Sequence, residues 1–349
     1  MKNILVTGGA GFIGSNFIKY MLNKYDSYRI INIDVLTYAG NLENLSDICD
    51  DNYEFIKADI RDEYAIDKVF KKYNIDTVIN FAAESNVDRS IEDPQIFLTT
   101  NILGTQVLLY TAKKYWKKHP NDKYDKEFKK GVKYIQVSTD EVYGALGITG
   151  MFTETTPLAP NSPYSASKAS ADMIVRAYHE TFGMPVNITR CSNNYGPYQF
   201  PEKLIPLMIN NCKNNKQLPV YGDGMQIRDW LHVSDHCSAI DTVLHKGKIG
   251  EVYNVGGNNE KANIEIVKLI IDTLNKSNDL IKYVQDRPGH DRRYAIDNTK
   301  ITTELGWEPK YTFEEGIKET IEWYLNNSEW LEDVTSGNYL NYYDKMYAY

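Results

Sequence analysis

Thr7-Gly8-Gly9-Ala10-Gly11-Phe12-Ile13-Gly14 is the stretch on which the reading of the whole chain turns. It follows a short apolar run, Ile4–Thr7, and opens a helical pattern, Ile13–Lys24. It satisfies both Gly-x-x-Gly-x-x-Gly and Gly-x-Gly-x-x-Gly. Glycine is required in such a turn because a Cβ would block the tight bend, the close approach of a ligand and the packing of helix on strand. The helix N-terminus then offers unpaired N–H groups and a partial positive charge to a diphosphate. A glycine triplet alone is weak evidence, since turns are glycine-rich anyway; its place between a strand and a helix gives it weight.

Working outward, apolar strands alternate with helical patterns. Ile30–Asp34, Thr77–Ala82, Tyr134–Ser138 and Val186–Arg190 read as strands, and Ala65–Lys72, Asn101–Lys118 and Tyr164–Phe182 as helices. This alternation predicts an α/β fold with a doubly wound parallel (Rossmann) sheet. From about Cys191 the composition shifts toward Asn, Pro, Gly and Tyr, which predicts a smaller C-terminal α/β substrate-binding domain over the sheet's carboxyl edge. Ile227–Leu244 reads as a strand and helix returning to the main domain. The expected division is 1–190 plus about 226–250 for the dinucleotide-binding domain, and 191–225 plus about 251–349 for the other. The lysine-rich stretch Lys113–Lys133 could be an anion patch, but interleaved acids favour a solvated helix end and loop.

The bulk properties narrow the partners. Of 349 residues, 42% are hydrophobic and 25% charged, enough for an ordinary globular core. A net charge of -8 argues against nucleic acid. Cys49, Cys191, Cys212 and Cys237 form no Cys-x-x-Cys pair, so no metal site or redox dithiol is expected, and a reducing compartment fits. The first strand begins close to Met1, leaving no room for a signal peptide. No apolar stretch nears the ~20 residues of a membrane helix. A soluble, cytoplasmic protein without a membrane partner is expected.

Two sets of residues carry chemistry. Asp34 ends the second strand, where a carboxylate accepts hydrogen bonds from ribose hydroxyls and repels a 2′-phosphate. No arginine follows directly (Val35-Leu36-Thr37), so NAD is expected over NADP; a plain turn residue is the alternative for Asp34. Tyr164 and Lys168 are four residues apart on one helix face. An ammonium there would lower a phenol pKa that starts near ~10, making tyrosine a usable base for a hydroxyl. Tyr-x-x-x-Lys alone is commonplace; downstream of the glycine turn and the strand Tyr134–Ser138 it is strong.

Together these residues resemble the extended short-chain dehydrogenase/reductase family, in which a Ser or Thr after the preceding strand completes the catalytic set; Ser138 and Thr139 are available here. Ser138-Thr139-Asp140-Glu141-Val142-Tyr143-Gly144 narrows the match: it is similar to the signature of the dTDP-glucose 4,6-dehydratases. The resemblance implies oxidation at C4 of a nucleotide-activated hexose, elimination of water across C5 and C6, and return of the hydride to C6. It implies Glu141 as base, Asp140 as acid and Thr139 on the C4 oxygen. On their own, Asp140 and Glu141 would be read as solvated loop acids.

The same resemblance assigns further sites. Gly8, Gly11, Phe12, Ile13, Gly14, Asp34, Thr37, Asp59, Ile60, Phe81, Ala82, Ala83, Ser85, Thr100, Tyr164, Lys168 and Asn194 are expected at NAD. Ser85, Thr139, Asn193, Lys203, Leu204, Pro219, Tyr221, Arg228, Asn263, Asp286, Arg287 and His290 are expected at the nucleotide sugar. Arg228 and Arg287 suit a diphosphate as forked donors, although either could be a surface ion-pair residue. The match runs into the tail Trp330–Tyr349. Asn86 departs from the histidine of the family run, and Gly144–Phe152 is short for a lid. A homodimer through Asn101–Lys118 and Tyr164–Phe182 is the family expectation. A UDP-glucose 4-epimerase, another nucleotide-sugar dehydratase and a non-catalytic NAD sensor are the alternatives.

Overall fold

The computed structural model describes residues 2–336 together with Tyr339, Tyr343, Lys345 and Met346; most of the tail beyond 336 lies outside the described residues. Twelve strands are found among them: β1 Lys2–Thr7, β2 Tyr28–Asp34, β3 Tyr53–Lys57, β4 Thr77–Asn80, β5 Lys133–Thr139, β6 Val186–Cys191, β7 Asn193–Tyr195, β8 Leu218–Tyr221, β9 Ile227–His232, β10 Val252–Val255, β11 Glu260–Ala262 and β12 Ile281–Val284. Seven form one sheet in the order β10-β6-β5-β4-β1-β2-β3, every pair parallel. The winding reverses between β1 and β4, which opens a crevice at their carboxyl ends.

Both faces of this sheet are covered, and β1 shows how the sequence achieves it. Ile4 and Val6 join the core beneath the helices Phe12–Lys24 and Val233–Lys246, whereas Leu5 joins the opposite core with Phe70, Leu108 and Trp116. Alternate residues thus feed two layers, and the strand must be apolar throughout. A third core, with Trp230, Ile266, Ile270 and Phe313, belongs to the C-terminal body. That body holds two small sheets, β11-β9-β7 and β12-β8.

Three expectations need correction. Ile227–Leu244 does not return as a unit: β9 stays in the small sheet, and the helix Val233–Lys246 packs on Phe12–Lys24. The strand that extends the main sheet is β10, beyond the expected boundary at 250. The helix expected over Asn101–Lys118 is a wide π-type turn, Leu98–Gly104, followed by the α-helix Thr105–Trp116, while Lys117 bridges Phe128 in extended form. The strand β3 escaped notice because its burial is partial throughout, with no alternation to mark it.

Candidate active site

Each glycine of the turn after β1 has its own reason. Gly8 sits at φ +70°, and a Cβ on it would stand 2.7 Å from the Ala82 backbone just past β4. A Cβ on Gly14 would overlap the Gly8 carbonyl oxygen, so the helix could not lie so close to the strand. Gly11 meets only the Gly8 oxygen, at 3.3 Å, and lines the crevice. No side chain caps the helix Phe12–Lys24 at Gly11. Its first N–H groups are therefore available to an anion.

The cleft built on this turn has a volume of about 320 Å³, and every residue expected at the cofactor, from Gly8 to Asn194, lines it. Asp34 is nearly buried; one carboxylate oxygen accepts from the Ala10 N–H at 3.0 Å and the other from the Leu36 N–H at 2.8 Å. It therefore ties the glycine turn to the end of β2 as well as facing the cleft. Arg61 also lines the cleft, held by Asp59 through contacts of 2.6 to 3.0 Å. Sequence reasoning missed Arg61, and recognition of β3 would have been needed to place it. Glu84 and Glu202, equally unforeseen, line the same cleft.

The reacting groups come from two elements. β5 runs into the short 3-10 turn Asp140–Tyr143, and the helix Pro163–Phe182 presents Tyr164 and Lys168 one turn apart. Ser162 caps that helix in a reciprocal pairing with Ser165, and Pro163 takes its first position, so its start is fixed beside Tyr164. The Thr139 hydroxyl donates to Asp140 Oδ1 and accepts from the Glu141 N–H, both at 3.3 Å.

Charge at this site differs from expectation in one respect. Burial lowers the Lys168 pKa, and its Nζ donates to the Val137 carbonyl at 2.7 Å. It does not lower Tyr164: burial, followed by the charge of Glu141, raises that phenol well above its ordinary value. Asp140 is 1% exposed, with Oδ2 lacking a hydrogen-bond partner among the described residues. Burial, then the charges of Glu141 and Asp229, raise its pKa well above the usual range, which favours the protonated carboxyl. Burial raises Glu141 too, but Arg287, Lys203 and Arg228 oppose it. The adjacent carboxyls are thus both raised, with more positive charge opposing the rise at Glu141 than at Asp140.

Of the residues expected at the sugar nucleotide, Ser85, Thr139, Asn193 and Lys203 line the cleft, and Lys203 Nζ donates to the Ser85 carbonyl at 2.9 Å. The other eight do not line it. They gather on the C-terminal body, where β8 pairs with β12 and brings Tyr221 beside His290, ring centroids 6.1 Å apart. Asp286 accepts from Gln226 at 2.9 Å and contacts His290 at 2.5 Å. The Asn263 N–H donates to the Gln226 carbonyl. Leu204 opens the helix Leu204–Lys213, and Pro219 lies on β8 beside Tyr221. Arg287 pairs with Asp88 at 3.5 Å, and both Arg287 and Arg228 act electrostatically on Glu141.

Known proteins share this arrangement. The family model described as GDP-mannose 4,6 dehydratase matches residues 5–320. A dTDP-glucose 4,6-dehydratase of Xanthomonas campestris pv. campestris is 54% identical over 97% of this chain and 97% of its own. The chain belongs to the dTDP-glucose 4,6-dehydratase family. A dTDP-glucose 4,6-dehydratase from Bacillus anthracis, solved in complex with NAD, is 56% identical with a TM-score of 0.86, covering 96% of this chain and 100% of that one. The Streptomyces venezuelae enzyme of the same name, solved with NAD bound, is 44% identical with a TM-score of 0.88, covering 95% and 99%.

The two places where the sequence was expected to depart from the family run are each held in place. Asn86 is buried and caps the helix Val87–Glu92, its Oδ1 accepting from the Arg89 N–H at 3.0 Å. The short segment Gly144–Phe152 is clipped to the C-terminal body: Leu146 N–H donates to the Arg293 carbonyl at 3.0 Å, and Arg293 Nη1 donates to the Gly150 carbonyl at 2.9 Å.

Proposed function

We propose that this protein is an NAD-dependent dTDP-glucose 4,6-dehydratase, converting dTDP-glucose to dTDP-4-keto-6-deoxyglucose and water. One observation carries the reading: Asp140 and Glu141, neighbours in sequence but unlike in surroundings, share a cleft with Tyr164 and Lys168. Oxidation of an alcohol needs a base for the hydroxyl proton, whereas elimination of water needs a second base and an acid. The bare glycine cradle, the uncapped helix and Asp34 fit a dinucleotide. Gly8, Gly11, Gly14 and Asp34 would hold NAD, which would supply the hydride acceptor for C4 and donor for C6.

The chain's own residues do the rest. Tyr164 takes the C4 hydroxyl proton in its ionised form, which burial opposes and positive charge brought into the cleft would favour, while Thr139 holds the C4 oxygen. Glu141 removes the C5 proton, made acidic by the C4 ketone, and Asp140 protonates the departing C6 hydroxyl. Lys168, fixed on the Val137 carbonyl, places positive charge below the site, and Asn193 and Lys203 hold the sugar. Arg228 and Arg287 take the diphosphate, while Leu204, Pro219, Tyr221, Asn263, Asp286 and His290 form the wall toward the nucleoside.

The 1–190 segment carries the cofactor, and most of the chain after 190 holds the sugar nucleotide, with the helix Val233–Lys246 and β10 counted with the cofactor body. Leu103, Tyr110 and Met173 are exposed apolar side chains on Leu98–Trp116 and Pro163–Phe182. They support a homodimer across those helices. All four cysteines are free thiols, and no helix among the described residues is long and apolar enough to cross a membrane; both support a place in the cytoplasm.

The test is incubation with dTDP-glucose, UDP-glucose, CDP-glucose and GDP-mannose, reading product masses. dTDP-glucose should lose one water with no reductant added. Conserved mass with a changed sugar would make the protein an epimerase, and unchanged substrate would leave only a cofactor-binding role.

A further inference from the structure

Behind the site lies a buried polar chain that the mechanism above does not use. Arg190, on β6, is 5% exposed, and its Nε donates to Asp172 Oδ2 at 2.9 Å. Its Nη1 donates to the Tyr143 hydroxyl at 3.0 Å, which donates in turn to Asn254 Oδ1 at 2.7 Å. Asn254 completes the chain by donating to the Phe152 carbonyl at 3.0 Å. The Tyr143 hydroxyl therefore both accepts and donates, and all four side chains are buried. A buried ion pair adds little net stability over an apolar replacement, so its presence calls for another reason.

Its end points supply the reason. Tyr143 lies two residues after Glu141 and closes the same 3-10 turn that carries Asp140. Asp172 lies one helical turn beyond Lys168, on the face that also carries Tyr164, and its charge acts on Lys168. Arg190 is in register with Ser138 on β5, one residue before Thr139. The chain thus spans from the element of the acid pair to the helix of the oxidation pair through the strand between them.

We propose that Tyr143, Arg190 and Asp172 are positioning residues, a brace that fixes the Asp140-Glu141 turn relative to the helix of Tyr164 and Lys168. The proposal rests on the roles assigned above to those two pairs. The brace matters because the C4 hydroxyl and the C5–C6 bond belong to one bound sugar, which must meet both pairs without moving. A displacement of about 1 Å can cost on the order of 10²-fold in rate. Loosening the turn moves Asp140 and Glu141 but leaves Tyr164 and Lys168 on their capped helix. Elimination should suffer while oxidation does not.

Tyr143→Phe keeps the ring, which stacks on Phe152 at 5.0 Å, and removes only the hydroxyl. The measurement is steady-state turnover with unlabelled, C4-deuterated and C5-deuterated dTDP-glucose, alongside NAD affinity and thermal melting. kcat should fall about 10–100-fold with KM nearly unchanged, and the isotope effect should grow at C5 and vanish at C4. Arg190→Lys, which can keep a charge on Asp172 but cannot also reach Tyr143, should show the same pattern more mildly. Wild-type kcat in Tyr143→Phe, or a loss with the isotope effect still at C4, overturns the brace. So does failure of both variants to fold, which would make the chain a fold element only. A wild-type protein that never dehydrates dTDP-glucose would instead refute the proposed function.

Discussion

Replacing Asp140 by asparagine should make the protein more stable at neutral pH while disabling it. Asp140 is 1% exposed, and its surroundings hold its pKa well above the usual value, burial first and then Glu141 and Asp229. In the unfolded chain an aspartate titrates near ~3.9. Below that pH both states keep the proton and the residue contributes nothing to the difference. As pH rises through ~3.9 the unfolded chain ionises while the folded one does not. Folding stability then falls by about 1.4 kcal/mol per pH unit until the raised folded pKa is passed. Asparagine cannot ionise and escapes this loss, and its carbonyl can still accept from the Thr139 hydroxyl, as Oδ1 does now at 3.3 Å. Urea unfolding of both proteins from about pH 5 to about pH 8 should therefore show the variant gaining on the wild type as pH increases. Turnover should meanwhile fall by about 10²–10⁴-fold, roughly 3–5 kcal/mol, because the amide has no proton to give. A stability difference that stays flat with pH would mean that Asp140 ionises normally, and the assignment of acid and base would lose its basis.

Two further outcomes follow from the geometry. Asp34→Ala should raise the NAD dissociation constant about 10–100-fold, since hydrogen bonds to a charged group contribute about 1.5–3 kcal/mol and the Ala10 and Leu36 N–H groups lose their acceptors. Adding Val35→Arg should improve NADP use, and calorimetric NAD affinity equal to wild type would reduce Asp34 to a turn residue. Leu103→Lys puts a charge on a side chain that is 56% exposed on the proposed dimer face. Light scattering should then find the 40.1 kDa protomer where the wild type runs as a dimer, and an unchanged mass would move the interface elsewhere.

The sequence was most legible where one residue type had a local job. Gly8 and Gly14 announced the cradle because no side chain fits against Ala82 or the Gly8 carbonyl. β1 and β2 announced themselves because a sheet covered on both faces leaves apolar runs, whereas β5 and β6, equally buried, showed through alternating β-branched and aromatic residues. β3, partly exposed, carried no such run, and with it went Arg61. The π-type turn at Leu98–Gly104 was equally hidden, since it is held by tertiary bonds: Asn101 Nδ2 reaches the Glu84 carbonyl at 3.0 Å and Ser167 Oγ at 2.8 Å. The direction of the Tyr164 shift was hidden for a related reason: spacing shows that Lys168 shares its face, but not that burial and the charge of Glu141 act on the phenol.

The unlike surroundings of Asp140 and Glu141 have a deeper source than their own element. Both sit on one 3-10 turn after β5, and nothing in that turn distinguishes an acid from a base. The distinction comes from charges that lie later in the chain. Lys203 and Arg287 favour the ionised form of Glu141 and Arg228 that of both carboxyls, while Asp229 adds to the burden on Asp140. All four belong to the C-terminal part, with Arg228 and Asp229 adjacent on β9. Alternation along that strand sends neighbouring side chains to opposite sides. Arg228 accordingly donates to the Asp291 carbonyl at 2.9 Å, while Asp229 accepts from Gly257 at 2.9 Å and Asn259 at 2.7 Å. The part of the chain proposed to hold the sugar nucleotide thus also supplies the charges that make the two carboxyls unlike. On the roles proposed above, the residues through 190 alone would retain Tyr164 and Lys168 yet lose the contrast that elimination requires.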